Sequence, residues 1–159
     1  MKKLTLLLLL IMPVIAFSQS AKLTNAINYL EDYQKNNKDQ ESINKAKENI
    51  DIVSQNPEMK DPGKVLKFKG LIYEAIFENN LRLQTEKLTS ITDPNQKALT
   101  AYQNTSIAEL DVAAQAYNAI KAVDPKNIYL FDVMKGKERL YSHYFNKANT
   151  EFNQQKFDS

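Results

Sequence analysis

The sequence predicts an all-α protein, and three observations carry that prediction. Beyond an apolar leader, nearly every stretch spaces its apolar residues three and four apart, the period of one helix face. The chain holds only three Gly and five Pro in 159 residues, too few for the tight turns of an all-β domain. Three Asp-Pro pairs, Asp61-Pro62, Asp93-Pro94 and Asp124-Pro125, punctuate it at steps of 32 and 31 residues. Each pair can place Asp as an N-cap and Pro at the first helical position, where its missing N–H is not needed. So regular a step predicts helix-turn-helix units, about five helices in all.

The leader reads as a targeting signal. Lys2 and Lys3 precede an apolar run from Leu4 to Phe17, and the small residues Ala16 and Ser18 suit a signal peptidase. The expected cut lies between Ser18 and Gln19, giving a signal peptide over 1–18 and a helical domain over 19–159. A retained anchor fits less well: about 14 apolar residues fall short of the ~20 that span a bilayer, and Pro13 interrupts the helix. No stable membrane insertion is therefore expected after cleavage. No cysteine follows the run to carry a lipid. Removing Lys2 and Lys3 takes the formal charge from +2 to neutral, so no basic stripe remains to argue for nucleic acid. The remaining length of about 140 residues suffices for one domain with a real core.

The first helix, "SAKLTNAINYLEDYQK", spaces Leu23, Ala26, Ile27, Leu30 and Tyr33 on one face, and "NNKDQ" ends it. The second carries Ile43, Ala46, Ile50 and Val53 and stops before Pro57. From Lys64 a strongly apolar helix follows, with Leu66, Tyr73, Phe77 and Leu81 as its stripe. The more polar "NNLRLQTEKLTSITDPNQ" reads as a frayed extension or a long loop. After Asp93, Gln96 sits where a capping-box partner would reach back. One long helix is then expected from Gln96 to Asp124, bent at "NTSI", with Leu110, Ala113, Ala114, Tyr117, Ile120 and Ala122 inward. In the last helix the apolar stripe of Phe131, Met134, Tyr141, Phe145, Ala148 and Phe152 is the expected core face, with Gly136 tolerated inside the helix.

These residues resemble tetratricopeptide repeats, pairs of antiparallel helices in about 34 residues. In "LKFKGLIY", Leu66, Gly70 and Tyr73 match the first helix of the motif, with Leu66 in place of the usual Trp. In "AQAYNAIKAVDP", Ala113 and Tyr117 match the second helix and Pro125 the closing proline. The interval from Gly70 to Ala113 exceeds the family's spacing and would need an insertion over roughly 79–96. A second match, Ala148, Phe152 and Phe157, runs to the end of the sequence without a second helix. The whole looks like the exported repeat proteins of Bacteroidetes-type bacteria.

The resemblance implies an α-solenoid that binds a protein or peptide in the cell envelope, with Lys67, Tyr73 and Tyr144 as candidate contacts on the inner helix faces. It also implies an N-terminal fragment of a longer protein, truncated in its last repeat, or a last helix covered by a partner or a second copy. A reading of a different class is a small periplasmic helical bundle carrying an apolar ligand between its helices. Contacts only between sequence neighbours would favour the solenoid, and contacts between the first and last helices the bundle.

No catalysis and no cofactor are expected. His143 is the only histidine and there is no cysteine, so Cys–His catalysis and multi-histidine metal sites lack their residues. His143 is expected between helices or on the surface. Nucleotide-binding glycine loops are missing from the sequence, and Glu31, Asp32, Asp39 and Glu41 flank a helix break as solvated ends. Among the aromatic residues, Tyr129 and Tyr144 fall off the core stripe and are the candidates for a binding groove.

Overall fold

In the computed structural model, the described residues are 20–36, 38–56 and 59–157, with side chains described through Phe152. The expected signal peptide over 1–18 and its cut lie outside them, as do Pro57 and the side chain of Phe157. The described residues form six helices and no strand: α1 (20–35), α2 (Gln40–Ser54), α3 (Pro62–Lys87), α4 (Pro94–Asn104), α5 (Ala108–Val123) and α6 (Leu130–Phe157). The chain is all-α, with one helix more than the sequence reading allowed.

The first two helices follow their apolar spacing. Leu23, Ala26, Leu30 and Tyr33 of α1 are buried, and so are Ile43, Ala46, Ile50 and Val53 of α2. Between them Lys38 takes a positive φ of 64°, and Asp39 caps α2 by accepting from Ser42 N at 2.9 Å. Of the other acidic residues near this break, Glu31 pairs with Lys35 and Glu41 with Lys45 within their own helices.

Helix α3 is the hub, packed against α2, α4, α5 and α6 and held to α1 by the Tyr33 hydroxyl on the Ala75 carbonyl. Val65, Gly70, Ile72, Tyr73, Glu74, Ala75, Ile76, Phe77 and Asn79 are all buried, so it is enclosed nearly all round. The polar stretch after Asn79 continues α3 to Lys87 rather than forming a loop, for 26 residues in total. Asp61 starts α3 and Asp93 starts α4, each followed by Pro and accepting a backbone N–H three residues on. Gln96 donates that N–H, but its side chain points forward to Thr100 instead of reaching back, so the capping box is half made.

The long expected helix is divided. It breaks at Thr105–Ile107, where the Thr105 hydroxyl folds back to the Ala101 carbonyl and Ser106 Oγ accepts from Ala108 N. Within α5, Ala122 is exposed although expected inward, and Ala116 is buried in its place. The third Asp-Pro pair also departs from expectation. Asp124 closes α5 and turns its carboxylate onto the N–H groups of Ile128 and Tyr129, at 2.9 and 2.8 Å. Helix α6 starts six residues later, after Asn127 at φ 56°, a conformation Asn tolerates.

Contacts give the helix directions. Asp51–Tyr73 and Ser54–Lys69 run in opposite order along α2 and α3, as antiparallel neighbours do. Helices α3 and α4 are antiparallel likewise, with Phe77 near Tyr102 and Thr85 near Pro94. Asp111–Tyr144 and Asp124–Tyr129 make α5 antiparallel to α6. Helices α3 and α6 are parallel, because Lys67–Asp132 and Glu74–Arg139 share one separation of 65 residues. Thus α4 and α5 together run back along α3 in two pieces. The interval from Gly70 to Ala113 is filled by the longer α3, a turn and α4. Helix α2 packs on α3 and reaches none of α4, α5 or α6.

Candidate functional site

The surface that remains open is set by how α6 is seated, so its inner face comes first. Val133, Gly136, Leu140, His143, Lys147 and Thr150 recur at three and four residues and face the rest of the protein. This is a mostly small and polar set. It is fixed by close approach and pairing rather than by apolar bulk.

The closest approach is at Tyr117. Its ring lies between Gly70 of α3 and Gly136 of α6. A Cβ on Gly70 would stand 2.6 Å from the Tyr117 Cζ, and one on Gly136 would stand 2.5 Å from the same atom. Of the residues matched to the repeat motif, the structure therefore brings Gly70 and Tyr117 into direct contact. Leu66 is partly buried, Tyr73 and Ala113 are in the core, and Pro125 is exposed at the turn.

Around that ring runs a polar ladder between α3 and α6. Glu74 is only 3% exposed; it pairs with the Arg139 guanidinium and accepts from the Tyr117 hydroxyl at 3.2 Å. Burial, then the neighbouring Glu74 charge, raises the Tyr117 hydroxyl pKa far above the ordinary tyrosine range. Arg139 is raised in turn by its bond to Glu74. One turn further, His143 Nε2 lies 3.7 Å from Glu78, while Nδ1 is 3.0 Å from the Tyr102 hydroxyl. The His143 ring holds the Glu78 carboxyl below the usual carboxylate range. His143 therefore lies between helices, with its edge against Phe77 at 4.9 Å between centroids. Its partners Glu78 and Tyr102 are distant in sequence, and no local spacing could have found them.

Lys147 closes the end of α4. Its ammonium donates to the carbonyls of Tyr102, Gln103 and Thr105 at 3.0, 3.0 and 3.1 Å. Those carbonyls belong to a helix C-terminus, where the in-helix donors run out and the helix dipole favours a cation.

The three candidate contact residues are each engaged inside the protein. Lys67 pairs with Asp132 at 2.9 Å. Tyr73 is 8% exposed and donates to Asp51 at 2.7 Å. Tyr144 donates to Asp111 at 2.6 Å, and burial together with that bond raises its pKa. Tyr129 donates to Asp61 at 2.5 Å, its pKa pushed up to about 12 by burial and by Asp61. The structure does not bring Lys67, Tyr73 and Tyr144 into one groove: Tyr73 belongs to the α2–α3 seam, Lys67 to the α3–α6 seam and Tyr144 to the α5–α6 seam.

The outer face of α6 reverses the expected core assignment. Phe131, Met134, Tyr141, Phe145 and Phe152 are exposed by 67, 60, 72, 58 and 56%, and Ala148 is exposed with them. Ala148 and Phe152, matched to the repeat motif, thus lie on the exposed face of α6. The physical reason is the opposite face: only Gly136 can lie over Tyr117, and only a seat on α3 and α4 satisfies Arg139, His143 and Lys147. Hydrophobicity alone does not tell which side of α6 faces inward. Ile128 and Leu130, also exposed, extend the apolar surface at the start of α6. Tyr141 stacks on Phe145 at 6.5 Å between centroids, and Lys135 covers Phe131 at 4.4 Å.

A second concavity lies between α3 and α4, lined by Leu81, Thr85, Pro94, Lys97, Ala98 and Tyr102, with a volume of about 250 Å³. Among the described residues no group of three or more His, Cys, Asp or Glu could hold a metal ion. No described helix is long and apolar enough to cross a membrane. No family model, no curated protein and no solved structure matches this chain.

Proposed function

We propose that this chain is an exported, non-catalytic scaffold of tetratricopeptide-like helix pairs that acts by binding a protein or peptide in the cell envelope. The observation that carries the reading is the outer face of α6, where Phe131, Met134, Tyr141 and Phe145 form an exposed apolar strip. Contiguous apolar surface of this kind marks a contact site for another macromolecule. Export is read from the Lys2-Lys3 leader and its apolar run. The repeat-like architecture draws support from the parallel neighbours α3 and α6 with antiparallel helices between them, the arrangement of successive units in a stacked solenoid. The apolar-carrier alternative would need more space than the α3–α4 cleft offers, since its volume lies below the roughly 300–1,000 Å³ of small-molecule sites.

A photo-crosslinking side chain at Tyr141 or Phe145, in cells that produce the protein, tests this reading. Adducts with a protein are expected at both positions and not at Glu48, on the exposed side of α2. Equal labelling at Glu48, or none at α6, would overturn it.

A further inference from the structure

The outer face of α6 has an internal order that goes beyond being apolar. Phe131, Met134, Glu138, Tyr141, Phe145, Ala148 and Phe152 repeat with alternating steps of three and four residues, a seven-residue period kept over three cycles. The buried inner face, from Val133 to Thr150, keeps the same period against α3 and α4. That period is what keeps one seam of a helix turned toward a second helix along its whole length. We infer that the partner fitted to this seam is a second copy of the same helix, packed antiparallel through a two-fold axis near His143. The inference rests on the binding role proposed above and names the binder.

Charge chooses the direction and the alignment. In the antiparallel arrangement centred at residue 143, Met134 lies across from Phe152 of the second copy, Glu138 from Ala148, and Tyr141 from Phe145. The flanking positions on one side then place Lys137 across from Glu151 of the second copy, and Glu151 across from its Lys137. The two-fold axis makes this contact twice. Both side chains are exposed, and among the described residues Glu151 pairs with Lys147 of its own helix at 3.9 Å. Glu138, the one charge in the seam, meets the small Ala148 and so has room to carry its carboxylate out to water.

The alternatives lose these matches. A parallel pair sets Glu138 against Glu138 of the second copy and Lys137 against Ser142, with Glu151 at the register of Lys156. An antiparallel pair slipped by one cycle sets Glu138 against Tyr141 and Lys137 against Tyr144. Both discard the Lys137–Glu151 contact, and the first sets two carboxylates against each other inside the seam itself, where like charge tells most on partner choice. Area is sufficient. Four aromatic rings and Met134, each more than half exposed, offer roughly 500–600 Å² per copy, or about 1,000–1,200 Å² in a pair, the lower edge of stable interfaces.

Sedimentation equilibrium of the purified full chain tests the pairing. A monomer–dimer equilibrium is expected. Lys137→Glu alone and Glu151→Lys alone should each weaken it about ten-fold, since two opposite-charge contacts become two like-charge contacts. An equimolar mixture of the two variants should recover the parent strength as a heterodimer, because both contacts are then opposite in charge again. The double variant on one chain should recover it too. Neither substitution touches the α3–α6 seam, so unchanged helical circular dichroism is expected for both. A chain that stays monomeric overturns the inference, and so does a dimer indifferent to both substitutions. A monomer that still gives adducts with another protein at Tyr141 overturns the pairing while leaving the binding role in place.

Discussion

Gly136→Ala inverts the usual effect of removing a helical glycine. In an open helix interior the change stabilises by about 1 kcal/mol, through lower backbone entropy in the unfolded chain. Here the new methyl would stand 2.5 Å from Tyr117 Cζ and 2.6 Å from Cε2. The ring cannot retreat, because Gly70 abuts its other edge, where a Cβ would be 2.6 Å from Cζ and 2.8 Å from Cδ1. Its hydroxyl is also held by Glu74. Overpacking of a core costs about 1–3 kcal/mol, and a ring fixed on both sides belongs at the upper end. Subtracting the propensity gain leaves a net loss of about 2 kcal/mol, or ~5–8 °C in melting temperature for a chain of this size. Thermal and urea unfolding followed by circular dichroism measure it. In a Tyr117→Leu background the same Gly136→Ala change should be neutral or stabilising. If Gly136→Ala melts at or above the parent, the closeness of the two helices at Tyr117 is not what seats α6, and the account of the inverted face fails with it.

Three further outcomes follow from the same seam. Arg139→Met should destabilise by about 2–3 kcal/mol, below the cost of breaking a fully buried pair because Arg139 is 43% exposed; urea unfolding reads it, and adding Glu74→Gln should return much of the loss. Lys147→Met should cost about 2–3 kcal/mol by removing a charged donor from three carbonyls, of which that of Tyr102 keeps the Thr105 N–H, with hydrogen exchange accelerating in the last turn of α4 before other helices. For acid, the Glu78 pKa is lowered by His143 first and then by Lys38 and Arg139. Its contribution to stability is therefore present above the ordinary carboxylate range and lost as pH falls through the lowered value. Glu78→Gln should be less stable than the parent at neutral pH in thermal melts, and the two should converge in strong acid; a constant difference at every pH would refute the assignment.

Much of the fold was legible wherever a residue's role depends on near neighbours. Apolar spacing placed the buried faces of α1 and α2, and Asp61 and Asp93 announced two helix starts. Asp124 carries the same dipeptide but closes a turn instead, because what separates the two uses lies four and five residues downstream in backbone N–H groups. The break in "NTSI" was readable as a bend from its β-branched and hydroxyl residues, though not as the end of α4. The face of α6 was not legible. Its seat depends on Tyr117, 19 residues before Gly136, and on Glu74, Glu78 and the carbonyls of α4, which are more distant still. The sequence displays the apolar stripe openly, but only the packing reveals that the stripe looks outward.

The ladder between α3 and α6 has one more consequence. Sliding α6 by a single turn, about 5.4 Å, would carry Arg139 opposite Glu78 and Lys135 opposite Glu74. Those pairs are as favourable as the two they replace, so Glu74 and Glu78 alone would accept the slip, although Lys67 would lose Asp132 and the end of α4 would lose Lys147. What forbids the slip is that Asp132 would then arrive where Gly136 now lies against Tyr117. The ion pairs hold the helix down, and a missing side chain tells it where to stop.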